Sequence, residues 1–151
     1  MSLKDKITEE IKAAMKAKDK VRLETVRSIK KVILEEEVNA RAAGKESLTE
    51  AQEMDILARL AKQRRDSIEQ YTQVGRQELA DQEAAELAIL EEYLPKQLSD
   101  DEIAQVIDEI IVQVGASSAK DMGKVMGPAM QQLKGKADGK KVQEMVKSKL
   151  N

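Results

Sequence analysis

The apolar pattern of this sequence is clearest in the stretch SDDEIAQVIDEIIVQVG, residues 99–115. Ser99 followed three positions later by Glu102 is a capping box, and Gly115 is the residue type that most often ends a helix in the left-handed conformation. The stretch therefore predicts one amphipathic α-helix with both ends marked. Its apolar residues fall on one stripe of a helix with 3.6 residues per turn: Ile103, Val106, Ile107, Ile110, Ile111 and Val114.

The sequence before this helix predicts four more helices. Ser2 caps the first, which ends in the lysine-rich residues 16–20, and the second runs from about residue 20 to residue 43. A capping box at Thr49 and Gln52 starts the third, which ends near Gly75, and the fourth ends before Pro95. Short turns between such helices favour antiparallel neighbours.

The sequence after Gly115 predicts two short helices. Ser117 or Ser118 is expected to cap the first of them. Pro128 is expected to kink that helix or to make it restart after Gly127. Residues 135–139 separate it from a last helix, which Asp138 can cap.

The predicted fold class is all-α with two parts. Residues 1–95 form an antiparallel helical hairpin or bundle, and residues 96–151 form a small three-helix domain. The boundary is placed at Pro95–Gln97, because a new capping box and a new apolar stripe begin immediately after it.

The composition excludes several classes of function. The chain has no Cys and no His, which removes disulfides, thiolate metal sites, the commonest metal ligand and the commonest general base. No convincing Ser–Lys pair replaces them, so we expect no catalytic residue, no metal and no cofactor. The first 20 residues carry a charge every few positions and no stretch approaches a membrane span, so we expect a cytoplasmic protein without membrane contact.

One charge falls on an apolar face. Arg64 lies on the helical wheel among the apolar residues of the third helix, where an unpaired charge would cost several kcal/mol. Glu83 and Glu86 lie on the apolar face of the fourth helix. We therefore predict a bridge from Arg64 to one of these glutamates. It is interpreted first as a structural ion pair that fixes helix register, and otherwise as a ligand site.

The end of the chain is basic. Residues 116–151 hold 8 lysines against 3 acidic residues, a local excess of 5 positive charges. This excess indicates either a solvated helical face or a surface that meets phosphates. Gly123 and Gly127, four residues apart, open a strip without side chains. The first interpretation of that strip is close packing on the neighbouring helices, and the other is approach by a partner helix or a nucleic-acid backbone.

Two motifs in this region resemble a known family. DMGKVMG, residues 121–127, and GKADG, residues 135–139, are similar to the tail domain of the GatB/YqeY family. Upstream, KQRRDS at residues 62–67 and ELAILEEYLP at residues 86–95 are similar to stretches of stand-alone YqeY proteins. The resemblance covers most of the chain and is closer to YqeY than to GatB.

The resemblance implies a contact with tRNA or with the amidotransferase that converts mischarged Glu-tRNA and Asp-tRNA. It also implies the family label of a carbon–nitrogen ligase with glutamine as amide donor, although this chain lacks the residues for that chemistry. The expected function is thus a non-catalytic accessory protein, and the alternative is a helical module that binds a protein partner. The tail has no aromatic residue, so any RNA contact is expected to rest on charge and shape. The candidate RNA-binding residues are Lys120, Lys124, Lys134, Lys136, Lys140 and Lys141.

Overall fold

The computed structural model describes residues 1–151 and is all-α, which confirms the predicted fold class. One 3₁₀ turn, Ala119–Asp121, precedes the sixth helix. The helices are α1 Leu3–Ala17, α2 Lys20–Ala42, α3 Glu50–Gln73, α4 Gln77–Glu91, α5 Asp100–Val114, α6 Met122–Leu133 and α7 Gly139–Leu150.

Capping boxes start three of the helices. At α5, the Glu102 backbone N–H donates to Ser99 Oγ at 3.2 Å, and the Ser99 N–H donates to Glu102 Oε1 at 3.1 Å. Ser2 makes the same reciprocal arrangement at α1, as does Thr49 at α3. These bonds satisfy backbone donors that a helix leaves without partners in its first turn, so these helix starts are set by local chemistry.

Left-handed residues follow the ends of several helices. Four of the five residues with positive φ are glycines, at positions 44, 75, 115 and 135. The fifth is Lys18 at the end of α1, with φ 55°, and its N–H donates to the carbonyls of Ala14 and Met15. A side chain in this conformation is strained where glycine is not.

The chain divides into two compact units, Met1–Leu94 and Pro95–Asn151. In the first unit α1 packs mainly on α2, and α3 packs mainly on α4. Its core is aliphatic, as a chain without Phe or Trp requires. The buried residues of this core are Ile7, Val26, Ile29, Ile33, Ile56, Leu57, Leu60, Ala61, Ile89, Leu90 and Leu94.

The second unit has its own core, formed where α5, α6 and α7 meet. The apolar stripe of α5 supplies three of its buried residues, and α6 and α7 supply three each. The periodicity of α5 thus places its core side correctly, because Ile103, Ile107 and Ile110 of the predicted stripe are buried. The buried residues are Ile103, Ile107, Ile110, Val125, Ala129, Leu133, Val142, Val146 and Leu150.

One prediction about α6 is wrong, and one alternative of a second is excluded. Neither Ser117 nor Ser118 caps it, since the residue before α6 is Asp121 and no side chain there makes a capping bond. The helix continues through Pro128, which excludes the predicted restart after Gly127. Proline disfavours the α conformation at the preceding residue partly because its ring meets that residue's Cβ, and here the preceding residue is Gly127, which has none.

None of the seven helices combines the length and the apolar character that a membrane crossing requires.

Candidate functional site

The turn between α6 and α7 is held by the segment that enters the second unit. The Gln97 side-chain amide donates to the Gly135 carbonyl at 2.7 Å, and the Leu98 N–H donates to the Lys136 carbonyl at 2.9 Å. Asp138 then caps α7 by accepting from the Lys140 N–H at 3.2 Å. The backbone of this turn is therefore fixed by hydrogen bonds, while its lysine side chains are exposed.

All six candidate lysines are exposed, but they differ in their partners. Lys141 Nζ lies 2.8 Å from Asp100 Oδ1, and Lys124 Nζ lies 3.5 Å from Asp121 Oδ1. Lys120 and Lys136 have no carboxylate within ion-pair distance, so their charge is available to an external anion. Lys134 and Lys140 are exposed and interact with other residues of the chain.

Asp121 organises the start of α6. Its carboxylate accepts from the Ser117 backbone N–H at 2.9 Å. This hydrogen bond, more than the nearby Lys124, holds the pKa of Asp121 below its usual range. The residue therefore stays ionised at neutral pH, and it lowers the positive charge that Lys124 presents to an anion.

The glycine strip of α6 is open. A Cβ built at Gly123 or Gly127 would meet no atom within 4 Å, and both residues are exposed. The first interpretation, close packing on neighbouring helices, is therefore wrong. The close contact is at Gly139, where a Cβ would lie 2.9 Å from Met130 Cε. Residue spacing gives no sign of this contact, because it identifies a strip but not the face on which the strip lies.

In the first unit, the structure brings Arg64 together with both predicted glutamates. Arg64 Nε lies 3.5 Å from Glu86 Oε2 and 4.0 Å from Glu83 Oε2. The three side chains are only 16 to 25% exposed. The sequence reasoning missed Ser28 of α2, whose Oγ accepts from Arg64 Nη2 at 3.4 Å. The Arg64 cluster, defined as Arg64, Ser28, Glu83 and Glu86, thus joins α2, α3 and α4.

The Arg64 cluster has more negative than positive charge. Burial raises the pKa of Glu86 above its usual range, and the Arg64 guanidinium opposes this rise while Glu83 and Glu24 add to it. Arg64 Nε is buried and makes no hydrogen bond. The Ser28 hydroxyl donates to the Thr25 carbonyl at 2.7 Å, so it is committed to the backbone of α2. The arrangement is that of a polar contact between helices rather than of an activated nucleophile.

A shallow cleft of about 310 Å³ opens near the start of α1 and the end of α4. At its edge, Arg22 Nη2 lies 2.8 Å from Glu92 Oε2 and Arg22 Nη1 lies 3.7 Å from Glu10 Oε2. Burial raises the pKa of Tyr93 to about 12, so this phenol stays protonated and does not serve as a base at neutral pH. No group of three or more acidic residues is arranged to hold a metal ion. The residues that line the cleft are Leu3, Lys6, Glu9, Glu10, Glu92 and Tyr93.

Comparison with known proteins adds relatives from fungi and archaea. The chain is 30% identical over 150 residues, 93% of this chain and 78% of the relative, to "Altered inheritance of mitochondria protein 41, mitochondrial" of Pyrenophora tritici-repentis. It is 34% identical over 87 residues to the protein of the same name from Kluyveromyces lactis, covering 58% of this chain and 45% of that relative. The match thus spans just under half the length of the Kluyveromyces protein.

A shorter match links the chain to an amidotransferase. It is 40% identical over 57 residues to the E-type subunit of the glutamyl-tRNA(Gln) amidotransferase of Thermococcus gammatolerans, covering 35% of this chain and 9% of the relative. Part of this chain is therefore related in sequence to an amidotransferase component.

The fungal relatives contradict the expected cytoplasmic location, because their names place them in mitochondria. The expectation rested on the lack of an apolar segment, and that feature does not distinguish the cytosol from the mitochondrial matrix. The family itself is settled by a match that covers nearly the whole chain rather than one unit: the sequence model described as "Yqey-like protein" fits residues 4–150. The resemblance carried by the glycine motifs is therefore confirmed, and this chain belongs to the YqeY-like family.

Proposed function

We propose that this chain is a non-catalytic accessory protein of the tRNA amidation system, and that its second unit contacts tRNA phosphates. Two findings support the proposal. The chain belongs to the YqeY-like family, and part of it is similar to a protein named as a component of a Glu-tRNA(Gln) amidotransferase. A role without catalysis agrees with a sequence that has neither Cys nor His.

The proposed phosphate contact rests mainly on the hydrogen-bonded turn between α6 and α7. Lys136 projects from this turn with no carboxylate partner, and Lys120 lies exposed at the 3₁₀ turn before α6. Lysines on a fixed backbone lose less freedom on binding than lysines on a mobile loop. They meet phosphates as point charges, which positions an RNA without reading its sequence.

Binding of bulk tRNA at several salt concentrations tests the proposal. We expect the affinity of the unaltered chain to fall as salt rises, and the Lys124→Glu, Lys134→Glu, Lys136→Glu variant to lose most of its binding. Charge reversal at Lys62 in the first unit is the control, because Lys62 is exposed and pairs only with Asp66 on its own helix. Binding that does not depend on salt, or no binding at all, would reject the proposal.

The open glycine strip favours a second candidate, a surface of α6 that receives a helix of a protein partner. Without a Cβ at Gly123 and Gly127, a second backbone can approach α6 closely. Substitution of both glycines by Leu separates the two candidates. It should abolish capture of a protein partner from RNase-treated extract while leaving the salt-dependent binding of tRNA in place.

A further inference from the structure

The segment with the largest excess of positive charge lies in the first unit and not in the second. Residues 12–31, which span the end of α1 and the first half of α2, hold 8 Lys and Arg against 2 acidic residues, an excess of 6 positive charges. Residues 32–94 hold 7 against 15, an excess of 8 negative charges. The first unit is therefore strongly polarised, although its net charge is close to zero.

Six of the cations in residues 12–31 are exposed, and we call them the hairpin patch. None of the six has a carboxylate within ion-pair distance, whereas Arg22, in the same segment, pairs with Asp19, Glu10 and Glu92. The salt bridges of the first unit thus include no member of the hairpin patch. Its members are Lys12, Lys16, Lys18, Lys20, Arg27 and Lys31, all exposed.

The helix dipoles account for only part of these charges, because Lys16 lies in the last turn of α1, where a cation is favoured. Lys20 is the first residue of α2 and Arg22 lies in its first turn, which holds no acidic residue. The positive end of the helix dipole disfavours cations there. Lys12 and Lys16, and likewise Arg27 and Lys31, are four residues apart, the spacing at which like charges on a helix repel each other.

The backbone conformation of Lys18 is a second, independent observation. It is the only residue other than glycine with a positive φ in this chain, and it lies in the middle of the hairpin patch. Every other left-handed position is occupied by glycine. A lysine kept where glycine would be less strained points to a use for its charge, because strained positions that persist are concentrated at functional sites.

We infer that the hairpin patch binds the phosphate backbone of RNA, as a second contact surface besides the lysines of the second unit. The choice of RNA among phosphate polymers rests on the proposed function. The charge complementarity rests on the patch itself, because six exposed cations on two consecutive helices, none in a salt bridge, match a polyanion.

The patch suits RNA better than an anionic membrane. Helices that lie on membranes insert large apolar side chains between their cations. Here the segment exposes only two large apolar residues, Met15 and Val21, and Arg27 Nη2 lies 4.0 Å from the Met15 sulfur.

The test uses the full chain with Lys16→Glu, Lys20→Glu and Lys31→Glu combined, and bulk tRNA as the probe. We expect the dissociation constant to rise at least about 10-fold and the slope of log affinity against log salt to fall by about 3, one for each phosphate contact removed. The neutral variant K16Q/K20Q/K31Q should show the same change in slope, which guards against an effect of the new acids on folding.

The matched control is Arg41→Glu, Lys45→Glu and Lys62→Glu, which alters the net charge equally. Arg41 and Lys45 are exposed near the far end of α2, about 30 Å along the helix from Lys20. The control should bind tRNA with nearly the affinity of the unaltered chain. Equal loss in the control and the patch variant would overturn the inference, since only net charge would then matter.

The outcomes separate this inference from the proposed function. Unaltered binding by the patch variant, with loss in the variant of Lys124, Lys134 and Lys136, would overturn the inference alone. The reverse result would keep the patch and overturn the assignment to the second unit. No binding of tRNA by the unaltered chain would overturn both. Binding of the chain to phosphatidylserine vesicles through the patch, in place of tRNA, would show that the partner is a membrane and reject RNA.

Discussion

Arg64 shows how a charge is accommodated between helices. The Arg64 cluster sets one guanidinium against two glutamates that are largely shielded from water. We expect Arg64→Met to destabilise the first unit by about 2 kcal/mol, because Glu83 and Glu86 would then face each other unpaired. This value is below the range for fully buried pairs, since all three side chains keep some contact with water. Urea unfolding measures it.

The control for Arg64 is the exposed pair on the outer surface. Arg59 Nη2 lies 3.5 Å from Glu36 Oε1, and their side chains are 52% and 36% exposed. We expect Arg59→Met to change the free energy of unfolding by less than about 1 kcal/mol. Equal effects of the two substitutions would mean that the position of Arg64 between the helices has no energetic consequence.

Glu86 gives the cluster a pH dependence. Its pKa is raised in the folded chain, so the folded state binds this proton more tightly than the unfolded state. Its contribution to stability is therefore fully present below the unfolded pKa of 4.5 and is lost as the pH rises through the higher folded pKa. We expect Glu86→Gln to lessen this loss, so that the variant gains stability relative to the unaltered chain as the pH rises above 4.5. If the free energies of unfolding of the two chains changed in parallel as the pH rose above 4.5, the pH dependence would not come from Glu86.

Lys18 is the residue at which charge and backbone preference conflict. Lys18→Gly removes the strain at φ 55° but adds freedom to the unfolded chain, so the net gain in stability should be about 0.5 to 1 kcal/mol. Lys16→Gly removes the same charge from within α1 and should cost about 1 kcal/mol. Thermal unfolding of the two variants should thus shift in opposite directions. A destabilised Lys18→Gly variant would show that the left-handed lysine is not strained.

At the scale of the helix, the two glycines of α6 differ in the residue on their C-terminal side. Gly123→Ala should stabilise the second unit by about 0.5 to 1 kcal/mol, because open space surrounds the position and alanine favours helix. Gly127→Ala has the same open space, but its Cβ would meet the ring of Pro128. We therefore expect Gly127→Ala to be less stable than Gly123→Ala by about 1 kcal/mol or more.

A double-mutant cycle isolates the effect of the proline. In a Pro128→Ala background the ring is gone, so Gly127→Ala should become stabilising, as Gly123→Ala is. The coupling between positions 127 and 128 is the measured quantity, obtained from chemical unfolding of the four chains. No coupling would mean that the glycine does not explain why α6 continues through Pro128.

The same helix marks where sequence patterns stop being informative. The capping boxes and the apolar stripe of α5 are local, so the sequence alone suffices to locate the helix starts and the buried face. Whether α6 survives Pro128, and which way Gly123 faces, depends on the neighbouring residue and on packing between helices. Likewise the spacing of the lysines does not reveal that Asp100 on another helix pairs with Lys141.

At the scale of the whole molecule, each of the two units contains one basic region. The chain has a net charge of −2, yet it contains two separate basic regions, residues 12–31 and residues 116–151. Totals over the first 94 residues conceal the first region, because the acidic residues of α3 and α4 cancel it in the sum. The basic region of the first unit is therefore apparent only at the length of a helix.

The two separate cores lead to the last prediction, that the units unfold independently. Ile29 and Ile107 are both fully buried, one in each core, so replacing either by Ala should cost its own unit roughly 2 to 5 kcal/mol. In hydrogen exchange of the full chain, Ile29→Ala should then lower protection only in residues 1–94, and Ile107→Ala only in residues 95–151. The second unit has about 60 residues, a size at which domains are marginally stable, so its amides should exchange first in the unaltered chain. If either substitution lowered protection throughout the chain, the two cores would form one cooperative unit, and the boundary at Pro95 would have no thermodynamic meaning.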